Sequence, residues 1–181
     1  VLTMADYRTW MLTGYRQNHT NGREGLQYFD MRGLTNHRYF SDWHNTGLKD
    51  WNNVLQSDHG AWNNSQAKYY CYSEGVFFST ATLMFTNPNT RDFHVMLSKN
   101  GSQIGVSNEH SGGGSDNGHQ WNGATISVVC RVAEGDYIDA RMFASNSSSS
   151  GTRGYLYGHS SASYQKWSGF YIAGAQRDNP A

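Results

Sequence analysis

The stretch DFHVMLSKNGSQIGVS, residues 92–107, constrains the fold more than any other. Two strand-like runs meet at Asn100-Gly101, a pair that tolerates positive φ at both central positions of a two-residue type I′ turn. That is the signature of a β-hairpin, and similar segments recur along the chain. WNNVLQS and AKYYCYS read as short strands, and GVFFSTATLMFT as a long central one. ATISVVCRV alternates Ile126, Val128, Cys130 and Val132 on one face, AEGD turns the chain, and YIDARMFAS is the next strand. NEHSGGGSDNGHQWNG and NSSSSGTRG are polar loops, and YLYGHSSASYQ leads into the closing strand, KWSGFYIAG. Many short strands, no long helix and only 2 prolines indicate an all-β sandwich or jelly roll.

Composition narrows the function classes. Charged residues make up 15% and aromatics 14%, which argues against disorder. Most of the polarity comes from Asn, Ser, Gly, Thr and His, residues of turns and adaptable loops. Lys+Arg equal Asp+Glu at 14 each, so no bulk field favours a phosphate backbone or an anionic membrane. Nucleic-acid binding is disfavoured. No apolar run approaches the roughly 18 residues of a membrane helix, and VLTMADYRTWMLTGYRQ lacks the order of a signal peptide.

Residues 1–47 differ from the rest. Trp10, Tyr15, Tyr28, Phe29, Tyr39, Phe40 and Trp43 are interspersed with Arg8, Arg16, Arg23, Arg32 and Arg38, the aromatic-plus-Arg signature of protein–protein contacts. The expectation is an anchoring arm over 1–47, a jelly roll over 48–173 and a tail over 174–181. The alternative is that the first segment is an extra hairpin of the main domain.

Catalytic and metal chemistry finds little support. Asp58-His59 and the loop set Glu109, His110, Asp116 and His119 could in principle ligate a metal, but no His-x-His or His-Glu-x-x-His spacing occurs. No Gly-x-Ser-x-Gly elbow or phosphate loop is present, so the reading is a non-enzyme without cofactor or metal. The sequons at Asn18, Asn63, Asn100 and Asn146 arise readily in a chain this rich in Asn and Ser. Cys71 and Cys130 read as two buried thiols or one long-range disulfide. Loop aromatics Trp62, Trp121, Tyr155 and Tyr157 sit among small polar residues. The candidate ligand-binding set is Trp121, Tyr155 and Tyr157 for stacking, with Asn117, Gln120, Asn122 and Ser160 for hydrogen bonding. The same rings could instead pack beneath the loops or at subunit contacts.

Four blocks resemble the globular head of complement C1q and its relatives in the tumour-necrosis-factor superfamily. AKYYCYSEGVFF places Tyr69, Cys71, Gly75 and Phe77 on that family's aromatic-x-Cys-x-x-Pro-Gly-x-Tyr/Phe positions, with Glu74 replacing Pro and Ser79 replacing an aromatic. DFHVMLSKNGSQI resembles its Lys-Asn-Gly hairpin, ISVVCRVAEGDYIDA its Gly-Asp strand end, and WSGFYI its terminal Phe-Ser-Gly-Phe strand with Trp167 for the first Phe. The blocks run in family order over roughly residues 48–173. No collagen-like repeat precedes them.

The resemblance implies a homotrimeric jelly roll whose C-terminal strand lies near a threefold axis. It implies Phe170 and Ile172 in the core, Tyr171 and Gly169 toward neighbouring subunits, and Phe77 inward with Phe78 outward. Phe78, Gly169 and Tyr171 are therefore the candidate trimer interface. Similar modules end bacteriophage fibres and spikes or decorate capsids, so the expected role is a non-enzymatic virion surface protein. Its arm would join other virion proteins and its loops a host-surface glycan or protein. A secreted, C1q/TNF-like ligand or lectin-like recognition module is the alternative.

Overall fold

The computed structural model describes residues 25–34, 38–39, 47–48, 50–56, 62–72, 74–86, 90–107, 109–110, 121–146, 155–156 and 164–173. Its strands are β1 (Gly25–Leu34), β2 (Arg38–Tyr39), β3 (Trp51–Gln56), β4 (Trp62–Asn63), β5 (Lys68–Tyr70), β6 (Gly75–Thr86) and β7 (Thr90–Lys99). There follow β8 (Ser102–Val106), β9 (Glu109–His110), β10 (Trp121–Val132), β11 (Tyr137–Asn146), β12 (Tyr155–Leu156) and β13 (Lys166–Ala173).

Two antiparallel sheets face each other. The first runs β3-β1-β13-β6-β10, with β12 beside the far end of β6 and β2 beside β12. The second runs β4-β5-β11-β7-β8, with β9 alongside β7. The hairpin read from Asn100-Gly101 is β7–β8. Asn100 has φ 52° and Gly101 φ 83°, so both central residues occupy the left-handed region that a type I′ turn requires.

The core is aromatic. Phe29 lies 4.7 Å from Tyr69, 5.7 Å from Phe77 and, edge-on, 5.2 Å from Trp167, measured between ring centroids. Such pairs add about 0.5–1.5 kcal/mol each beyond the area they bury. The room comes from small neighbours: across the sheet, Phe29 pairs with Gly169 and Gly169 with Ser79. A Cβ on Gly169 would lie 2.1 Å from the Phe78 carbonyl oxygen and 2.8 Å from Ser79 Cα, so the strands approach as closely as only glycine permits. Ser79 is buried and its Oγ accepts the Trp167 indole N–H at 3.3 Å, which satisfies that donor inside the core.

Three expectations change here. The sandwich reaches back to Gly25: β1 lies between β13 and β3, and Phe29, Met31 and Leu34 are buried, so a boundary at residue 48 cuts through the domain. Phe29, expected on an anchoring arm, is 1% exposed in the core. On β13 the alternation runs opposite to expectation. Trp167 and Tyr171 are buried inward, whereas Phe170 is 36% exposed and Ile172 half-buried. Tyr171 and Gly169 therefore belong to the core side of the sheet. Phe77 is inward and Phe78 outward, following the period-2 alternation of β6.

Phe29→Ala should cost about 3–5 kcal/mol through lost burial and a residual cavity, and Gly169→Ala about 1–3 kcal/mol through overpacking. Chemical denaturation followed by fluorescence measures both. Removing residues 1–44 deletes an internal strand and should abolish the cooperative transition.

Candidate functional site

Three of the sequence blocks meet at one end of the sandwich. The Asn100 side-chain amide donates to Asp136 Oδ1 at 2.6 Å, and its Oδ1 accepts from the Tyr137 N–H at 3.0 Å. Asp136 Oδ2 accepts from the Ala133 N–H at 2.8 Å and lies 3.4 Å from Lys99 Nζ. The Cys71 N–H donates to the Asp136 carbonyl at 2.8 Å, and the Gly135 N–H to the Cys71 carbonyl at 2.9 Å. The Lys-Asn-Gly turn, the Gly-Asp turn and the Cys71 segment are thus one structural corner. With both amide ends of Asn100 engaged inside it, its sequon is spoken for by the fold.

The same corner sets the local electrostatics. Burial pushes the Asp136 carboxyl up, but the Ala133 N–H, the Asn100 amide and Lys99 outweigh it and hold the group below the ordinary carboxylate value. Burial first, then nearby Asp136 and Cys130, pushes the Cys71 thiol up to about 12. Cys130 is also raised, mainly by burial, and both cysteines are free thiols. A thiol so disfavoured as thiolate is a poor nucleophile.

The outer face of the first sheet is divided. One register row runs Tyr28–Phe170–Phe78–Val129 across β1, β13, β6 and β10. Phe78 and Phe170 stack at 5.1 Å, Tyr28 is 43% exposed and Val129 68% exposed. Half-buried Ile172 and Val76, paired with each other, extend this apolar half. The other half is polar. Thr80 and Ser127 hydroxyls meet at 2.8 Å, Thr82 and Thr125 at 3.0 Å, and Arg32 pairs with Asp30 at 2.6 Å.

On the outer face of the second sheet, Asp139 is buried. Its Oδ2 accepts from Arg141 Nε at 2.9 Å and Nη2 at 2.8 Å, and its Oδ1 from the Ser98 hydroxyl. Burial raises the Asp139 carboxyl despite Arg141 and Lys68. Tyr70 and Tyr137 pair across β5 and β11 with centroids 6.0 Å apart, and Lys68 Nζ sits 3.9 Å from the Tyr137 centroid. Sequence reasoning missed this cluster because it read the residues as ordinary strand positions. The available signal was Lys68-x-Tyr70, same-face spacing in a strand.

The expected loop site is only partly brought together. The backbone of Trp121 pairs with Thr86, as does that of Tyr155, which also pairs with Tyr39. Tyr39, Tyr155 and Trp121 thus share one register row across Thr86. Asn122 follows on β10, opposite Phe85. Asn117, Gln120, Tyr157 and Ser160 lie outside the described residues, as do Trp10, Tyr15, Phe40 and Trp43. Trp62 is on β4, half-buried and edge-on to Trp167 at 5.7 Å, so it serves the core. Among the described residues, no three His, Cys, Asp or Glu side chains are placed to hold a metal ion.

The sequence matches no family model and no curated protein. Solved structures do match. Eiger TNF from S. frugiperda aligns with TM-score 0.58 at 9% identity, over 87% of this chain and 99% of that one. The globular domain of zebrafish complement 1qA aligns with TM-score 0.52 at 9% identity, over 86% and 100%. Murine APRIL at pH 5.0 gives TM-score 0.53 at 12% identity, over 81% and 98%. The chain therefore has the C1q/TNF-like jelly-roll fold.

Asp136→Ala should cost about 0.5–1.5 kcal/mol by removing the hydrogen bonds from the Ala133 N–H and the Asn100 amide that brace the corner. Because the folded-state value of Asp136 is depressed, its contribution is full above the unfolded carboxylate range near about pH 4 and is lost as pH falls through the lower folded value. Urea-denaturation midpoints should fall less steeply as the pH is lowered below about 4 in Asp136→Asn than in the wild type.

Proposed function

We propose that the protein is a non-enzymatic, self-associating display module in which three copies cover the apolar half of the β3-β1-β13-β6-β10 face. The observation that carries this is the apolar Tyr28–Phe170–Phe78–Val129 row, in which Phe78 stacks on Phe170 and Tyr28, Phe170 and Val129 are exposed on the single chain. Its burial would remove a large apolar surface from water at about 25 cal/mol per Å². Threefold order follows the resemblance of the sequence blocks. The interface reading moves from Tyr171 and Gly169 to Phe170, keeping Phe78 and adding Tyr28 and Val129.

Within that assembly we assign the virion surface as the working place, as a fibre, spike or capsid decoration. The aromatic-and-Arg segment around Trp10, Tyr15, Arg8, Arg16 and Arg23 supports docking to other virion proteins. The shared row of Tyr39, Tyr155 and Trp121 supports recognition of a host-surface glycan at that end. A secreted ligand or recognition module is the second reading, favoured by the likeness to Eiger TNF, complement 1qA and APRIL. Capsid and tail genes flanking the coding sequence are expected; an animal exon structure would overturn the virion role.

Assembly has its own test. Val129→Lys and Phe170→Asp change outward side chains, so both variants should fold yet shift from oligomer to monomer by size-exclusion chromatography with light scattering. Each places a charge in a surface that would be desolvated. Unchanged oligomers in both variants would refute this interface. Tyr171→Asp reports on the core instead and should unfold the chain.

A further inference from the structure

We infer that the outer face of the β4-β5-β11-β7-β8 sheet carries a binding site for the carboxylate of an acidic sugar, built from Tyr70, Tyr137, Lys68 and Arg141. It lies on the sheet opposite the self-association face and rests on the display reading only in that this face must remain uncovered.

The residues converge from three directions. Tyr70 and Tyr137 form a cross-strand pair whose rings are inclined at 57°, a shallow aromatic angle on the sheet. Tyr70 is held by its hydroxyl donating to Gln66 Oε1. Lys68, on the same face of β5, places its ammonium 3.9 Å from the Tyr137 centroid. The tip of the β7–β8 hairpin approaches from the other side. A Cβ on Gly101 would lie 3.6 Å from the Tyr137 hydroxyl and 3.9 Å from Arg141 Nη2, so the hairpin tip borders both groups and brings them to one corner.

The chemistry is one-sided. Among the described residues Lys68 has no carboxylate within ion-pair distance, and the Tyr137 hydroxyl has no hydrogen-bond partner. Arg141 is fixed by Asp139, whose second oxygen is taken by Ser98. That leaves an ammonium over the Tyr137 ring, a hydroxyl and the remaining N–H groups of the mostly buried Arg141 guanidinium as donors, beside the half-buried Tyr70 ring. The nearest acceptors, Asp139 and Gln66 Oε1, are already engaged. Two cations, Lys68 and Arg141, face the single carboxylate of Asp139, and the net positive charge favours an anionic group that accepts from both, a carboxylate. The adjoining rings suit the C–H face of a sugar better than a free anion. Ion-pair and stacking contacts at so open a site give weak single-site affinity, multiplied where several copies engage one chain of sugars.

Isothermal titration of the intact protein with a glucuronate-containing tetrasaccharide, against the same tetrasaccharide with its carboxyls reduced to alcohols, tests this. The acidic form should bind, and the neutral form at least tenfold more weakly. Lys68→Gln and Tyr70→Leu should each weaken binding about tenfold while the circular-dichroism spectrum and the oligomer mass stay those of the wild type. Tyr137→Phe should weaken it severalfold. No heat of binding at millimolar sugar, equal binding of both forms, or binding unchanged in Lys68→Gln would overturn the proposal. The oligomer mass is measured separately, so failure of the sugar site and failure of self-association are distinguishable.

Discussion

Phe29 and Trp167 fit into the core because Gly169 and Ser79 do not fill it. The pair of small residues at the middle of β13 and β6 lets two strands close to a distance that no side chain at position 169 could share. The indole then lies against Phe29 and against Trp62, with its N–H spent on Ser79 rather than left bare. A serine where an aromatic might stand is the compensation for a tryptophan one strand away. Interiors are close-packed, so enlarging one side of this arrangement requires shrinking the other.

The same arrangement decides what the outside looks like. In a strand, successive side chains point to opposite faces, so once Trp167 and Tyr171 are inward, Phe170 and Ile172 must face out. β6 repeats the logic with Phe77 inside and Phe78 outside. Stacking of Phe78 on Phe170 is therefore a consequence of the core's parity, and it creates the strip on which the self-association reading rests. The second sheet contrasts with this. Its outward positions carry a buried Asp139 held by Arg141 and Ser98, and a tyrosine pair edged by Lys68.

Features encoded by local chemistry were legible in the sequence. The Asn100-Gly101 turn announced itself because few pairs accept two positive φ values, and of the face read for β10, Val128 and Val132 are in the core while Ile126 and Cys130 are partly buried against it. β1 was harder. LQYFDMRGL mixes Arg, Asp and Gly with its aromatics, and its burial is decided by Phe29 meeting rings from Tyr69, Phe77 and Trp167, contacts far apart in sequence. WSGFYI carries large residues at both parities, so periodicity could not orient it. The Gly169–Ser79 approach, a tertiary fact, does. Gln165 shows a further limit: its side-chain amide donates to the Met84 carbonyl and accepts from the Met84 N–H, acting as one more rung of the ladder. No spacing rule foretells a side chain that imitates a backbone. Of the expected site, Trp121 and Tyr155, read as loop residues, stand at strand ends, each paired with Thr86.

Sedimentation equilibrium of the unmodified protein at micromolar concentration addresses the central claim most directly, because an apolar row of three aromatics and Val129 across four strands is explained here by other copies of the chain. The account predicts a mass of three 20.4 kDa chains that persists on dilution through the micromolar range. A species with the mass of one chain would contradict it.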